Sequence, residues 1–175
     1  VGLENTSNII PNTTFLWNFG NGKYSNLSTP SPHLYSNLTN NSKSHKILLQ
    51  ATTQYGCFDS TSVNIEVYPY IYAKFSIDKP AICSDELFTI DRSGSAGAIN
   101  HYYWDYNDDG SVEEDKINSE FTHSYSNTGT ADQNPRIRLT VTNAEGCDTS
   151  WTETIAVHPE VRARFDVDNL QVCYP

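Results

Sequence analysis

The chain has 175 residues, a mass of 19.6 kDa, a formal charge of -10 and a mean hydropathy of -0.53. Its eleven basic residues are too few and too scattered to neutralise phosphates, which excludes nucleic acid and anionic membrane as expected partners. No apolar run approaches the roughly 18 residues a membrane span requires, so no insertion is expected from this stretch.

The elements follow a pattern that recurs. Phe15, Trp17 and Phe19 alternate with polar residues, and the turn residues Gly20-Asn21-Gly22 come next. Alternation of period two means strands with one buried face. The hairpin around Gly56-Cys57 closes the first set, and Tyr68-Pro69 marks a joint. Strands are then expected near residues 73 to 78, 86 to 92, 100 to 107, 117 to 124, 136 to 143 and 149 to 157. No stretch shows convincing 3.6-residue periodicity. The first set should repeat this pattern without its opening strand.

Four landmarks share one offset. Tyr68-Pro69 matches His158-Pro159, Ala73-Lys74-Phe75 matches Ala163-Arg164-Phe165, Ile82-Cys83 matches Val172-Cys173, and Gly56-Cys57 matches Gly146-Cys147, each 90 residues apart. A period of that size indicates an array of small beads. The expected division is residues 1–69, a bead lacking its first strand, 70–159, a complete bead, and 160–175, the first strand of a third. The copies are out of phase with the chain ends, so the chain reads as a window on a longer polypeptide.

Trp17-Asn18-Phe19-Gly20-Asn21-Gly22 and Trp104-Asp105-Tyr106-Asn107-Asp108-Asp109-Gly110 resemble the Trp-Asp-Phe-Gly-Asp-Gly signature of polycystic-kidney-disease (PKD) domains. His33-Leu34-Tyr35 and His123-Ser124-Tyr125 resemble that family's His-Thr-Tyr. The stretch Arg138 to Asn143 with Gly146-Cys147 resembles its closing hairpin. The resemblance implies an all-β fold of tandem immunoglobulin-like antiparallel sandwiches. In it Trp17, Phe19, Tyr35, Trp104, Tyr106 and Tyr125 are structural. The Gly-Cys hairpin is similar to that of arrays in surface proteins of Bacteroidota, including gliding-motility adhesins exported by type IX secretion. Asn18 in place of Asp and the extra residue in the second motif are departures from the signature.

Several residue groups carry candidate chemistry. Asp105, Asn107, Asp109 and Gly110 reproduce the start of a calcium loop, in which alternate oxygens converge on one ion. The bidentate Glu such a loop needs would fall at Lys116, leaving Glu113 or Glu114 as substitutes. His33 and His123 occupy equivalent positions, which favours a hydrogen-bonding role in the fold over acid-base chemistry. No nucleophile elbow or metalloprotease His pair occurs, so no enzymatic activity is expected.

Cysteines 57, 83, 147 and 173 are expected in disulfides. Either Cys83 joins Cys147 within a bead, or each of the four bonds to a neighbouring bead beyond this stretch. Asn5, Asn12, Asn26, Asn37 and Asn40 each begin an Asn-x-Ser/Thr sequon. Asp59-Ser60-Thr61 resembles the O-glycosylation acceptor of Bacteroidota, placing a sugar on Ser60.

Two functions lead, with an animal receptor ectodomain, favoured only by the sequons, as a third. One is an extracellular, cell-surface stalk or adhesion array whose partners are neighbouring beads and protein or glycan surfaces at a distal tip. The other is a carbohydrate-binding accessory module of a secreted hydrolase, with exposed members of Tyr70, Tyr72, Tyr102 and Tyr103 stacking on sugars.

Overall fold

The computed structural model describes residues 1–8, 10–168 and 171. Among them every regular element is a strand, and no helix is long and apolar enough to cross a membrane. The chain divides into two compact units. The first comprises Val1–Tyr72, Ala96–His101 and Val141–Thr149; the second comprises Ala73–Ser95, Tyr102–Thr140 and Ser150–Pro175.

In the first unit, β1 (Thr14–Asn18), β2 (Tyr24–Ser25), β3 (Lys43–Thr52) and β4 (Phe58–Val67) form one sheet in the order β2-β1-β3-β4. All its pairings are antiparallel, and Trp17 lies opposite Leu49. Alternation turns Phe15, Trp17, Ile47 and Leu49 to one face, where they bury together with Phe19. Leu3, Tyr35, Ala51 and Ile65 pack against this cluster. The layer opposite the sheet is extended but irregular. Val1 and His33 exchange backbone bonds, the N-terminal amine donating to His33 O at 2.7 Å and His33 N–H donating to Val1 O at 2.9 Å. Because Leu3 and Tyr35 are the residues this layer sends to the core, it lacks the apolar alternation that would pin strand register. The expectation that the first bead repeats the full pattern is therefore corrected to one regular sheet and one irregular layer.

The remaining strands are β5 (Ile71–Tyr72), β6 (Ser76–Ile77), β7 (Ala81–Cys83), β8 (Phe88–Asp91), β9 (Ala96–Gly97), β10 (His101–Asp105), β11 (Glu114–Asp115), β12 (Glu120–His123), β13 (Arg136–Thr142), β14 (Asp148–Thr154) and β15 (Ala156–His158). Sheets β12-β8-β6 and β11-β10-β13-β14 supply the two layers, the arrangement of an immunoglobulin-like sandwich. Between them Phe75, Phe88, Ile90, Ile137, Leu139 and Ile155 are buried to within 1%. Each such side chain stabilises the fold by about 1.5–3 kcal/mol relative to exposure. Trp104, with no exposed surface, stands at the centre, meeting Phe75 and Phe121 edge-on at 5.1 Å.

Three details differ from the sequence reading. The strand expected over residues 149 to 157 breaks at Ile155, whose N–H donates to Pro135 O, and continues as β15, paired in parallel with β7. The stretch expected as a strand over 73 to 78 is regular only at Ser76–Ile77. Residues 73–75 are held instead through Ser95, whose side chain accepts from Lys74 N–H and donates to Lys74 O. Residues 160–168 form no strand, consistent with the need of any strand for a pairing neighbour. The rest of the expected third-bead strand, including Cys173, lies outside the described residues except for Gln171.

Gly97 is obligatory where β9 meets β5. Its φ is +103°, and a Cβ there would sit 2.1 Å from Tyr70 O.

Candidate functional site

Each unit builds the same aromatic corner from the residues of the repeated motif. In the first, the His33 ring stacks on Phe19 at 4.0 Å and meets Tyr35 edge-on at 4.8 Å, while Tyr35 Oη donates to Phe19 O at 2.8 Å. In the second, His123 stacks on Tyr106 at 4.0 Å and meets Tyr125 edge-on at 4.8 Å, and Tyr125 Oη donates to Tyr106 O at 2.6 Å. The tyrosine bond ties the layer opposite the motif to the residue after the motif Trp-Asx pair, so the corner joins the two layers of each unit. Burial raises the Tyr125 hydroxyl above its ordinary value, and burial together with the bond to Glu114 does the same for Tyr106. Neither phenol is placed to act as a base near neutrality.

His123 is held below the usual imidazole range chiefly by burial; Lys116 acts in the same direction, and Glu114 and Glu113 oppose it. A depressed folded value means that folding disfavours the proton. Stability is whole above the unfolded value of about 6.5 and falls as pH drops through the lower, folded one. Urea midpoints of the second unit are expected to be lower at about pH 5.5 than at about pH 7.5, a window above the carboxylates. His123→Gln should shrink that difference. Equal differences in both proteins would show that another group is responsible.

The second motif folds into an acidic loop. One oxygen each from Asp105, Asp109 and Glu113 come within 4.8 Å of one another. Glu113, one of the two substitutes weighed for the missing loop glutamate, thus joins two of the expected ligands. Asn107 reaches Asp109 through its side-chain amide at 2.9 Å. These groups also organise the loop itself. The buried Asp105 accepts from the backbone N–H groups of Asn107, Asp109 and Gly110. Asp109 accepts from Ser111 N–H, which helps hold its carboxyl below the ordinary range, and Glu113 accepts from Tyr106 N–H.

These bonds run within the loop itself. Asp105→Ala would orphan the Asn107 and Gly110 N–H groups and leave the Asp109 N–H with Asn107 Oδ1 alone, and is expected to cost about 2–4 kcal/mol in denaturant melts. Millimolar calcium is expected to leave the wild-type melting midpoint unchanged. A rise lost in Asp109→Asn would assign an ion to the cluster.

The extra residue of the second motif has its own anchor. Asp108 adopts φ 55°, and its nearly buried carboxylate pairs with Arg136 at 3.2 Å and Arg138 at 2.5 Å. In the first motif the left-handed position is Gly20, at φ +74°, where a Cβ would meet Lys46 O at 2.5 Å. The first loop therefore requires glycine, whereas the second accommodates Asp and bonds its side chain to the adjacent strand.

The other candidates are dispersed. Among the described residues Cys57, Cys83 and Cys147 carry no disulfide. Cys147 lies in the turn that opens β14, and Cys83 is in register with His158, beyond the far end of that strand. Ser60 is exposed on β4, opposite Gln50. Tyr70, 48% exposed, lies parallel to Tyr72 with centroids 6.4 Å apart, and Arg92 covers the ring of Tyr102 at 3.6 Å.

Among the sequons, Asn37 is buried, with Nδ2 donating to Asn41 O and Val67 O, and it cannot accept a glycan in the fold. The residue has a structural twin. Asn127, with no exposed surface, donates to Ala131 O and Val157 O in the second unit. The signal was available in the sequence as Tyr35-Ser36-Asn37 and Tyr125-Ser126-Asn127, again 90 residues apart.

By its topology the chain is an all-β protein of immunoglobulin-like antiparallel sandwich class. No family model and no curated protein matches it. Solved structures that resemble it include carbohydrate-binding modules of the β-sandwich superfamily, at 28% identity over 52% of this chain with a TM-score of 0.40. This chain spans about a third (34%) of that one. The PKD1 domain of Vibrio anguillarum Epp matches at 18% identity over 53% of this chain and 95% of that one, TM-score 0.35. An amphioxus IgVJ-C2 molecule matches at 9% identity over 87% of this chain and 93% of that one, TM-score 0.35.

Proposed function

We propose that the chain is part of a non-catalytic, extracellular array that serves as a stalk and adhesion module of a large cell-surface protein, with PKD-like beads as its repeating element. The observation that carries this reading is the duplicated aromatic corner. Both units invest their motif His, Tyr and Asx side chains in internal bonds, at equivalent positions, instead of gathering them into one site. Residues repeated for the fold serve every bead alike, which is what reach and stiffness require. The Pro69 and Pro159 joints restrict backbone freedom where beads of the array meet. The acidic charge of -10 favours a solvated surface, and a gliding-motility adhesin exported by type IX secretion is the narrower form of the proposal.

The test is to label intact cells with an antibody raised against the folded chain and to size the native polypeptide on a reducing gel. Long external fibres from a very large chain are expected. A modest soluble polypeptide copurifying with a hydrolase and binding glycans would overturn the stalk and make the chain a carbohydrate-binding accessory module.

A further inference from the structure

The motif turn of the first unit holds the only asparagine in the sequence that is followed by glycine, Asn21-Gly22, and both residues are exposed. Such a pair is chemically weak, because glycine puts no Cβ between the asparagine side chain and the next backbone nitrogen. Nothing stands within 4 Å of the place a Gly22 Cβ would take, and the Gly22 N–H donates no hydrogen bond among the described residues. The turn also directs the side chain. Asn21 Oδ1 accepts from Lys23 N–H at 3.3 Å, an Asx turn that draws the side-chain carbonyl across the Gly22 peptide. With Oδ1 engaged there, Nδ2 is the atom that meets His33, donating to Nε2 at 3.0 Å.

The second unit supplies the contrast. Its motif ends in Asp109-Gly110, and the Gly110 N–H is committed to the buried Asp105 carboxylate at 2.9 Å. The residue matching Asp105 is Asn18, whose Oδ1 accepts from Gly20 N–H at 2.9 Å and not from Gly22. Asp109 is also held as an anion by the Ser111 N–H, and an anionic carboxylate is a poor electrophile.

We propose that Asn21 is a site of self-catalysed deamidation, with His33 as its proton relay. The Gly22 nitrogen bonds to Asn21 Cγ and gives up its proton, and the Cγ–Nδ2 bond breaks. Nδ2 leaves as ammonia, the proton reaching it through His33 Nε2. Water then opens the five-membered imide at either carbonyl, leaving an aspartyl or an isoaspartyl residue at position 21. Either product adds a negative charge. The isoaspartyl form also adds a methylene to the main chain inside the turn that Phe19 N–H closes on Lys23 O at 3.0 Å. Phe19 O is the acceptor of the Tyr35 bond, so the change reaches the aromatic corner. The first unit thus carries a chemical timer, and the inference is independent of the adhesive reading.

Peptide mapping by mass spectrometry of the 175-residue protein during incubation at neutral pH tests it, with released ammonia assayed alongside. Conversion is expected at Asn21 ahead of every other asparagine, and no slower in the folded protein than in the chain unfolded in urea. His33→Phe keeps a ring to stack on Phe19 but removes Nε2. It should slow conversion by about tenfold, less than an enclosed proton carrier contributes because the site is open to solvent. Gly22→Ala should slow it as well, by screening the attacking nitrogen. An Asn21 that stays intact, a folded rate below the unfolded one, or a rate unchanged in His33→Phe overturns the proposal. Should His33→Phe fail to fold, the comparison of folded with unfolded parent still decides.

Discussion

Trp104→Ala is expected to destabilise the second unit by about 3–5 kcal/mol, enough to leave a sandwich of this size marginal or unfolded. The ring has no exposed surface and is gripped on two sides by Phe75 and Phe121, so its removal leaves a cavity that neither sheet can close without breaking register. Trp17→Ala should cost the first unit less, because Trp17 already borders an open groove and its loss creates less new void. Conversion to Phe separates the two further. Trp17 Nε1 donates to Leu27 O at 3.1 Å, whereas Trp104 Nε1 is buried without a protein acceptor. Trp104→Phe therefore sheds an unpaired donor and should be milder than its lost area suggests, while Trp17→Phe also orphans a carbonyl. Denaturant midpoints of the four variants, with hydrogen exchange resolving the units, check the order. A Trp17→Ala loss equal to that of Trp104→Ala would mean the groove is filled in solution.

What the sequence disclosed was whatever depends on alternation. Ile137, Leu139 and Val141 announce β13, and the structure buries all three completely. Phe15 and Trp17 likewise announce β1 and are buried there, at 7% and 5% exposed. What it concealed are features whose cause is not periodic. The parallel pair of β7 and β15 is three residues long, too short to carry a pattern, and the break at Ile155 is made by a backbone bond to Pro135. The acidic loop was legible as a cluster around Asp105 and Asp109, with Glu113 among the alternatives. Its dominant chemistry, carboxylates accepting backbone N–H groups, was hidden because it depends on the turn taken after Tyr106. The repeated Asn was hidden differently: Asn37 sits inside a sequon, and that surface motif masked a buried residue.

That Asn supports the second large effect, at Asn127. Its side chain closes three backbone bonds, donating to Ala131 O at 2.9 Å and Val157 O at 2.8 Å and accepting from Gly129 N–H at 3.0 Å. Its main chain adds two more, its N–H donating to Ser84 Oγ and its carbonyl accepting from Glu160 N–H. One residue thus fastens the link before β13 to β15 and to the turn after β7. Asn127→Ala keeps the main-chain bonds but strips Ala131 O and Gly129 N–H of their partner and leaves Val157 O with Gln133 N–H alone, and should cost about 2–4 kcal/mol. Asn127→Asp should be worse, although it is nearly isosteric, because a carboxylate cannot donate to carbonyls and would be a buried charge without a counterion. Asn37→Ala should cost less, since its site is partly open and Thr39 Oγ1 already donates to Asn41 O. Urea melts would give the magnitudes, and faster amide exchange confined at first to β7 and β15 is the signature expected of the Asn127 variants. Unchanged exchange there would show that the parallel pair is held by its own ladder and by the burial of Ile82 and Val157, with the Asn network only covering it.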